Sequence, residues 1–382
     1  MPNNRMKLKN LNLKGFKSID SEGQSIEFGD ITVFLGANGS GKSNLVSFFK
    51  LLNYLTAGGL QIFIGQQGFA NSLLYYGSST TPRIRAELSF EQAGAGKETY
   101  SFTLSHASGD TLIFTEEYVG WEHPGSQGPK KVDLGAGHKE TKLLEDRKAE
   151  AVGPIILFML GRLNLCQVYH FHDTSSTAGI RNQGYTGDNQ YLQGNAGNLA
   201  AFLFAMANNE EGKKHYERIV RHIQLVMPQF GDFVLRPSPE NKDYIRLDWR
   251  EKKRKDYIFG PHLLSDGSLR FMALATLLLQ PAVAFHPKVI ILDEPELGLH
   301  PAAIASLAGM IRAASMKSQI IVATQSPRLV DEFNIDEIVI VERDEAKDRS
   351  LFKRLDEKDL SEWLERYSLS DLWEKNVLGG RP

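Results

Sequence analysis

The sequence predicts an α/β fold with a mixed central sheet, and three observations predict it. Residues 31–35 form an apolar, largely β-branched run that is typical of a buried parallel strand. Residues 44–52 place apolar side chains at helical spacing directly after a glycine-rich turn. Two further apolar runs, 289–292 and 319–324, lie in the last third of the chain. Strands that are apolar on both faces belong at the centre of a layered α/β domain.

The glycine-rich turn, residues 36–43, reads GANGSGKS and fits the phosphate-binding pattern GxxxxGK[ST] without a mismatch. Its glycines allow a tight turn, so that backbone N–H groups and the helix N-terminus can point at a β-phosphate. We expect Lys42 to reach the β- and γ-phosphates and Ser43 to place its hydroxyl on Mg²⁺. The predicted nucleotide-binding residues of this phosphate loop are Gly36, Asn38, Gly39, Ser40, Gly41, Lys42, Ser43 and Asn44.

Composition limits the class of protein. The 382 residues carry a formal net charge of −2 and are 42% apolar, which is ordinary for a soluble globular chain. The near-neutral charge gives no global attraction to nucleic acid or to a membrane. The one cysteine, Cys166, excludes an internal disulfide. No run approaches the roughly 18 apolar residues of a membrane span. We therefore expect a soluble, cytoplasmic protein without a membrane partner.

The first half of the chain predicts further strands. Residues 6–28 read as two strands around a turn. Three strand-like runs, separated by turn residues, follow the first helix: 83–90, 100–106 and 111–119. They predict an antiparallel β-subdomain. Residues 120–139 are rich in Gly, Pro and Lys and predict a surface loop.

The middle of the chain predicts a compact helical lobe and a basic turn. Residues 191–227 carry apolar side chains at helical spacing. Three predicted strands then surround a charged turn: 232–236, 244–249 and 256–259. The cations of this basic turn are Arg250, Lys252, Lys253, Arg254 and Lys255. Such a cluster either contacts nucleic-acid phosphates or is simply solvated at the tip of a hairpin.

Two carboxylates end the apolar strand near residue 290. We expect Asp293 to hold Mg²⁺ and Glu294 to orient and polarise the water that attacks the γ-phosphate. Adjacent carboxylates at the end of a buried strand are costly without a cation, which favours a metal there. Gln325 follows the next strand, where its neutral amide can bind the γ-phosphate or water but cannot titrate.

Residues 263–270 read LLSDGSLR and precede a run of apolar side chains at helical spacing. Ser265 is well placed as the N-cap of this helix, and we expect Gly267 to leave room for a phosphate. A helix N-terminus attracts anions. The predicted ligand-binding residues are Ser265, Asp266, Gly267 and Ser268. The alternative is an ordinary N-capped core helix.

Together these motifs resemble the ABC-class ATPases of the RecF and SMC type. In that resemblance residues 289–296 are the Walker B segment, 263–270 the signature segment and 296–301 the D-loop, which includes His300. The opening phrase LKGFKSI, residues 13–19, also resembles this family, in which a basic or polar residue here faces the nucleotide. The resemblance thus makes Lys17 and Ser18 candidates for the site, and a solvated charge on a hairpin is the alternative. The resemblance implies a P-loop NTPase fold with ATP and Mg²⁺ as cofactors. It implies also that each signature segment binds the γ-phosphate of a second copy, so that ATP joins two chains head to tail.

The family carries a glutamine that senses Mg²⁺ and the γ-phosphate after the strand that leaves the nucleotide core. Here that strand corresponds to residues 165–171, and His172 and Asp173 follow it instead. Gln167 and Gln67 are possible substitutes. A plain turn and helix cap at His172 and Asp173 is the alternative.

The resemblance divides the chain into an N-terminal half of the ATPase core with the β-subdomain (1–170), a helical lobe with a hairpin (171–262) and a C-terminal half of the core (263–382). No sustained heptads occur, so the long coiled-coil arm of SMC proteins is not expected. A standalone ATPase of this kind looks like the subunits of the PARIS and Septu antiphage systems and the ATPase part of OLD proteins.

That likeness implies a slow ATPase that assembles as an even oligomer and acts as a sensor and scaffold for a separate effector, such as a nuclease or toxin. The alternative is a RecF-like repair clamp that binds DNA directly. A third interpretation is a nucleotide-binding module with negligible turnover, although the presence of Glu294 argues against it.

Overall fold

A computed structural model describes residues 5–380 except 93, 95, 126–127, 146–151, 255, 283–285, 357, 359, 361, 362 and 364. The strands are β1 (Lys7–Lys14), β2 (Gln24–Glu27), β3 (Ile31–Leu35), β4 (Arg83–Gln92), β5 (Gly96–Ala107), β6 (Thr111–Glu122), β7 (Lys130–Asp133), β8 (Cys166–Tyr169), β9 (Gly184–Tyr185), β10 (Phe230–Val234), β11 (Tyr244–Ile245), β12 (Asp248–Glu251), β13 (Val289–Asp293), β14 (Gln319–Thr324), β15 (Ile338–Asp344) and β16 (Arg349–Arg354). The helices are α1 (Lys42–Thr56), α2 (Leu60–Gln66), α3 (Phe69–Leu73), α4 (Gly153–Asn164), α5 (Leu199–Ala207), α6 (Glu210–Val226), α7 (Asp266–Leu279), α8 (Pro301–Ser315), α9 (Pro327–Val330) and α10 (Leu369–Glu374).

The central sheet has the strand order β16-β15-β3-β14-β13-β8. Its strands are parallel except for β16, which pairs antiparallel with β15. Every residue of β3 and β14 is buried, because helices or the second sheet cover both faces. The predicted mixed sheet is confirmed. Since the central strands are parallel, their carboxyl ends lie along one edge.

The second sheet is antiparallel, with the order β2-β1-β4-β5-β6-β7, and confirms the predicted β-subdomain. The surface loop predicted over 120–139 is wrong in part, because β6 continues to Glu122 and Lys130–Asp133 forms β7 at the sheet edge. The Lys131 ammonium lies 3.3 Å from the centre of the Tyr118 ring on β6. A short, charged edge strand of this kind carries little sequence signal.

Helix α1 lies between the two sheets. Its Phe48 and Leu52 belong to one apolar cluster together with Leu11 of the antiparallel sheet and with Ile291 and Ile321 of the central sheet. Helices α5 to α8 pack against the other face of the central sheet in a second cluster. The helix that starts at the phosphate loop is therefore held rigidly from both sides.

The middle segment confirms the helical lobe through α5 and α6. The strand predicted over 256–259 is wrong, because this segment meets β12 only at one bridge between Trp249 and Phe259. Those two rings stack 4.7 Å apart, so side-chain packing rather than a strand ladder holds the segment. None of the helices in the described part of the chain is long and apolar enough to cross a membrane.

The two sheets are joined by a buried glutamine. Gln319, at the start of β14, is 2% exposed. Its Oε1 accepts a hydrogen bond from the Leu8 N–H of β1 at 2.6 Å. Its Nε2 donates to the carbonyl oxygens of Leu8 and Gly29, both at 2.9 Å. One side chain thus satisfies three backbone groups at the junction of the sheets.

We expect Gln319→Leu to lower the free energy of unfolding by about 3 kcal/mol, because it leaves buried backbone groups of β1 without partners. Urea unfolding of the purified chain measures this loss. The control is Gln229→Leu, since Gln229 is exposed and its replacement should change the stability little. Equal stabilities of the two variants would contradict the role assigned to Gln319.

Candidate nucleotide-binding site

The phosphate loop connects β3 to α1 as predicted, and two of its glycines are required by close packing. A Cβ on Gly36 would lie 2.2 Å from the carbonyl oxygen of Val341 on β15. Gly41 has a φ of +116°, and a Cβ there would lie 2.1 Å from the Ser350 Oγ. No larger residue fits at these positions without displacing the neighbouring strands. The hairpin β15–β16 therefore shapes the loop from outside.

The Lys42 side chain folds back over the loop. Its Nζ donates hydrogen bonds to the carbonyl oxygens of Gly36 at 2.6 Å and Ala37 at 2.8 Å. Burial lowers the pKa of Lys42, and the carboxylates of Glu294, Asp293 and Glu296 oppose that shift. An ammonium held by neutral carbonyls can exchange them for phosphate oxygens, which are stronger acceptors for a charged donor.

A cluster of hydroxyl groups supports the loop from behind, and the sequence reasoning missed its centre. The Ser350 hydroxyl donates to the Ser40 carbonyl oxygen at 2.5 Å and lies 2.7 Å from the Ser18 Oγ. That Ser18 oxygen also accepts from the Asn44 amide at 2.7 Å. Ser18 and Asn44 thus brace the start of α1. The buried Ser40 Oγ has no partner within the described ranges, which fits a ligand oxygen at this loop.

Among the described residues, the Lys17 side chain forms no hydrogen bond with the phosphate loop. Its Nζ donates to the Gln67 Oε1 at 3.2 Å. Burial and the neighbouring Lys50 lower the pKa of Lys17. Gln67 is therefore in contact with Lys17, and its role as the sensor glutamine stays a prediction.

The predicted acidic pair ends β13, beside β14. Asp293 lies opposite Ala323 in the parallel register, and the Glu294 N–H donates to the Ala323 carbonyl oxygen at 2.8 Å. Glu294 has a φ of +42°, which is a left-handed conformation that costs free energy for a residue other than glycine. Residues held in such conformations are found often at functional sites. Gln325 directly follows β14, whose last residue lies opposite Leu35 at the end of β3. Adjacent strand ends therefore bring the phosphate loop, the acidic pair and Gln325 together.

The residues after β8 lie beside the same edge. The His172 Nε2 is 3.0 Å from the Asp293 carbonyl oxygen, and burial, assisted by His170, lowers the pKa of His172. His170, which sequence reasoning missed, places its Nδ1 3.5 Å from an Asp293 carboxylate oxygen. Of the four residues considered for the sensor position, His172 is the one whose side chain lies within hydrogen-bond distance of Asp293.

The other two candidates for the sensor position are engaged elsewhere. Asp173 is exposed and accepts hydrogen bonds from the Ser175 N–H and hydroxyl. Gln167 lies within β8 and donates to the Asn164 carbonyl oxygen at 2.7 Å. Of the turn and helix cap that sequence reasoning offered as the alternative, Asp173 forms the turn, and no helix begins at His172 or Asp173.

The signature segment caps α7 as predicted. The Ser265 Oγ accepts from the Ser268 N–H at 3.2 Å, and both Ser265 and Asp266 are exposed. Asp266 is paired with Arg181 at 2.8 Å. A Cβ on Gly267 would lie 2.3 Å from the Gly298 carbonyl oxygen, so the D-loop packs against this glycine. Gly267 thus allows the D-loop to contact α7. The room for a phosphate at Gly267 stays a prediction.

Arg270 ends the signature segment, and sequence reasoning assigned it no contacts. Its guanidinium donates to the carbonyl oxygens of Phe171, His172 and Leu297. It therefore fixes the segment after β8 and the D-loop to α7. His300 caps α8, with its ring nitrogen accepting from the Ala302 N–H at 3.3 Å, so its role in the structure is to begin a helix.

Glu296 is a third acidic residue of the site. It is 8% exposed, and its carboxylate accepts from the Thr324 hydroxyl. Burial raises the pKa of Glu296 to about 7, with Glu294 and Asp293 adding to the shift. Sequence reasoning assigned it no role, because nothing in the chain order indicated a partner on β14.

The candidate metal ligands at this site are few. Among the described residues, no group of three or more His, Cys, Asp and Glu side chains is arranged to hold a metal ion alone. Magnesium is commonly bound by one or two protein ligands together with phosphate oxygens and water. The exposed Ser43 at the start of α1 and Asp293 at the end of β13 fit such a partial ligand set.

The basic turn lies on β12, which pairs with β10 outside the central sheet, and on the residues after it. Arg250 is paired with Asp232 of β10 at 3.6 Å. Lys252, Lys253 and Arg254 are exposed, and Lys255 lies outside the described residues. The turn therefore offers fewer unpaired cations than its sequence indicates.

Two family models match the chain. One, described as "AAA domain, putative AbiEii toxin, Type IV TA system", matches residues 198–331, and one described as "AAA domain" matches residues 10–157. No curated protein sequence matches.

Solved structures of SMC heads are similar to the chain. One is the SMC head bound to the C-terminal winged-helix domain of ScpA, with a TM-score of 0.54 and 16% identity over 92% of this chain and 99% of that one. Another is the SMC head with an extended coiled coil, bound to the C-terminal domain of ScpA derived from Pyrococcus furiosus. It has a TM-score of 0.53 and 16% identity over 94% and 99% of the two chains.

The fold, the phosphate loop and the two AAA-domain matches define the class as a P-loop NTPase fold. Within that class, the fold is similar to that of the SMC heads, as the ABC-type motifs of the sequence imply. The longest helix in the described ranges is α6, with 17 residues. The expectation that no long coiled coil is present is therefore confirmed for that part of the chain.

We expect Gly41→Ala to weaken ATP binding at least about tenfold relative to Gly39→Ala. Both glycines have positive φ, but a Cβ on Gly39 would meet nothing within 4 Å whereas a Cβ on Gly41 would meet Ser350. Both substitutions strain the backbone, but only Gly41→Ala adds a steric clash. Titration with a fluorescent ATP analogue measures the affinities. Equal affinities would contradict the close packing at Gly41.

Proposed function

We propose that the chain binds ATP with Mg²⁺ and slowly hydrolyses it to ADP and phosphate. The observation that carries this proposal is the convergence of the phosphate loop, the acidic pair and Gln325 at the ends of three adjacent parallel strands. The unpartnered Ser40 hydroxyl and the carbonyl-bound Lys42 ammonium support it, since phosphate oxygens match both.

Each residue has a distinct role in this proposal. Lys42 and the loop N–H groups bind the β- and γ-phosphates. Ser43 and Asp293 would hold Mg²⁺, which neutralises charge on the phosphates when it is bound. Glu294 orients the attacking water and accepts a proton from it as the bond between the water oxygen and the γ-phosphorus forms. Gln325 donates a hydrogen bond to the γ-phosphate or that water.

We propose further that two copies pair head to tail across ATP. The supporting observation is the exposed start of α7, where Ser265 caps a 14-residue helix whose N-terminus faces solvent. A helix start of this kind provides N–H groups and a positive dipole end for the partner's γ-phosphate. Higher even oligomers follow if a second surface also joins copies.

We propose, finally, that this assembly controls a separately encoded effector, such as a nuclease or toxin, in antiphage defence. One matched family model is described in terms of a toxin and a toxin–antitoxin system. The similar SMC heads are bound to ScpA, so heads of this shape can carry partner proteins. A tagged chain expressed with its neighbouring genes should co-purify with such an effector, and recovery without one would oppose this step.

Replacing Glu294 by Gln should lower phosphate release at least about 100-fold while ATP binding stays within about threefold of wild type. The amide keeps the size of the side chain but cannot accept a proton. A coupled phosphate assay and a binding titration give the two values. Undiminished phosphate release would remove Glu294 from the hydrolytic step.

Ser265→Arg should abolish pairing in the presence of ATP and Mg²⁺, because it places a large cationic side chain at the exposed N-terminus of α7. Light-scattering mass measurement of Glu294→Gln protein with and without this change tests the pairing. The control is Ser79→Arg, which adds the same charge at an exposed turn. A mass that does not depend on ATP or on Ser265 would mean that other surfaces build the oligomer.

A further inference from the structure

Glu296 is buried beside the nucleotide site, and the roles proposed above do not use it. Its side chain is 8% exposed, and its Oε2 has no hydrogen-bond partner among the residues that the structure describes. Its Oε1 accepts a hydrogen bond from the Thr324 hydroxyl at 2.5 Å. Burying a carboxyl group with one unpartnered oxygen costs free energy. Packing alone therefore gives no reason for an acidic residue at this position.

Thr324, which contacts Glu296, is also hydrogen-bonded to the residues that follow Gln325. Thr324 is the last residue of β14, and its Oγ1 also accepts from the Ser326 N–H at 2.9 Å. Ser326 in turn caps α9 by accepting from the Leu329 N–H at 3.3 Å. Hydrogen bonds thus fix the residues on both sides of Gln325. Glu296 is the first residue in this series of hydrogen bonds.

The loop that carries Glu296 is attached at its other side to the signature segment. The Glu296 carbonyl oxygen accepts from the Leu299 N–H at 3.0 Å, which closes the D-loop turn. The Leu297 carbonyl oxygen accepts from Arg270 of α7 at 3.1 Å. The Gly298 carbonyl oxygen packs against Gly267. One short loop therefore contacts both the start of α7 and the end of β14.

We propose that Glu296 is a positioning residue, which acts through Thr324 to hold Gln325 in place and to link that residue to the signature segment. This inference rests on the proposed ATPase function and adds a residue that no motif assigned to it. Glu296 itself touches neither water nor phosphate in this account. Because Gln325 acts on the γ-phosphate after ATP has bound, the loss of the link affects turnover more than ATP binding.

The test compares Thr324→Val, which keeps the shape but removes the hydroxyl, with Thr324→Ser, which keeps the hydroxyl. We expect Thr324→Val to lower kcat about tenfold with KM for ATP changed less than about twofold. Thr324→Ser should retain at least about half of the wild-type kcat. Glu296→Gln retains an acceptor for the hydroxyl and should resemble Thr324→Ser, whereas Glu296→Leu should resemble Thr324→Val.

Unfolding curves of the four variants check that each one folds. Hydrogen–deuterium exchange gives a readout that does not depend on turnover, because Thr324→Val should speed exchange in residues 325–330 and Thr324→Ser should not. Unchanged exchange and unchanged kcat in Thr324→Val would overturn the inference, as would an increase in KM alone. A wild-type chain that releases no phosphate would instead defeat the ATPase proposal, and the exchange comparison would still decide the role of Glu296.

Discussion

The structure depends on the close packing of one glycine-rich turn between a central strand and the β15–β16 hairpin. Gly36 lies against the Val341 carbonyl and Gly41 against the Ser350 hydroxyl, at distances that exclude a side chain on either. This packing fixes the direction in which α1 leaves the sheet, and α1 in turn fills the space between the two sheets. A turn shaped from outside presents its N–H groups in one arrangement before any ligand arrives, which reduces the entropic cost of binding a phosphate.

The parallel register then determines what lies near that turn. Because β13, β14 and β3 are neighbours, Asp293, Gln325 and the phosphate loop emerge at the same edge although they are far apart in sequence. The D-loop lies beside them and contacts α7 through Gly298. The D-loop therefore connects the exposed start of α7, where we propose that a second copy binds, to the candidate nucleotide site.

The sequence predicted those parts of the site that follow from local patterns. The phosphate loop, the acidic pair and the Ser265 cap are short motifs whose chemistry requires their residue types in order, so they could be read directly. Arg270 and Ser350 act through contacts with distant segments, and no local pattern indicates such partners. The helices α2 and α3 were not predicted either, because each is short and glycines flank both. Only the fold shows that Gly267 also packs against Gly298 of the D-loop.

The most direct test of the account is the affinity of the purified chain for ATP, measured by titration calorimetry with Mg²⁺ for wild type and for Lys42→Ala. The Lys42 ammonium lies on the phosphate loop and is held by the carbonyl oxygens of Gly36 and Ala37. The account predicts that wild type binds ATP and that Lys42→Ala loses at least about tenfold in affinity while remaining folded. Equal binding by both proteins, or no binding by wild type, would contradict the assignment of this loop as the nucleotide site.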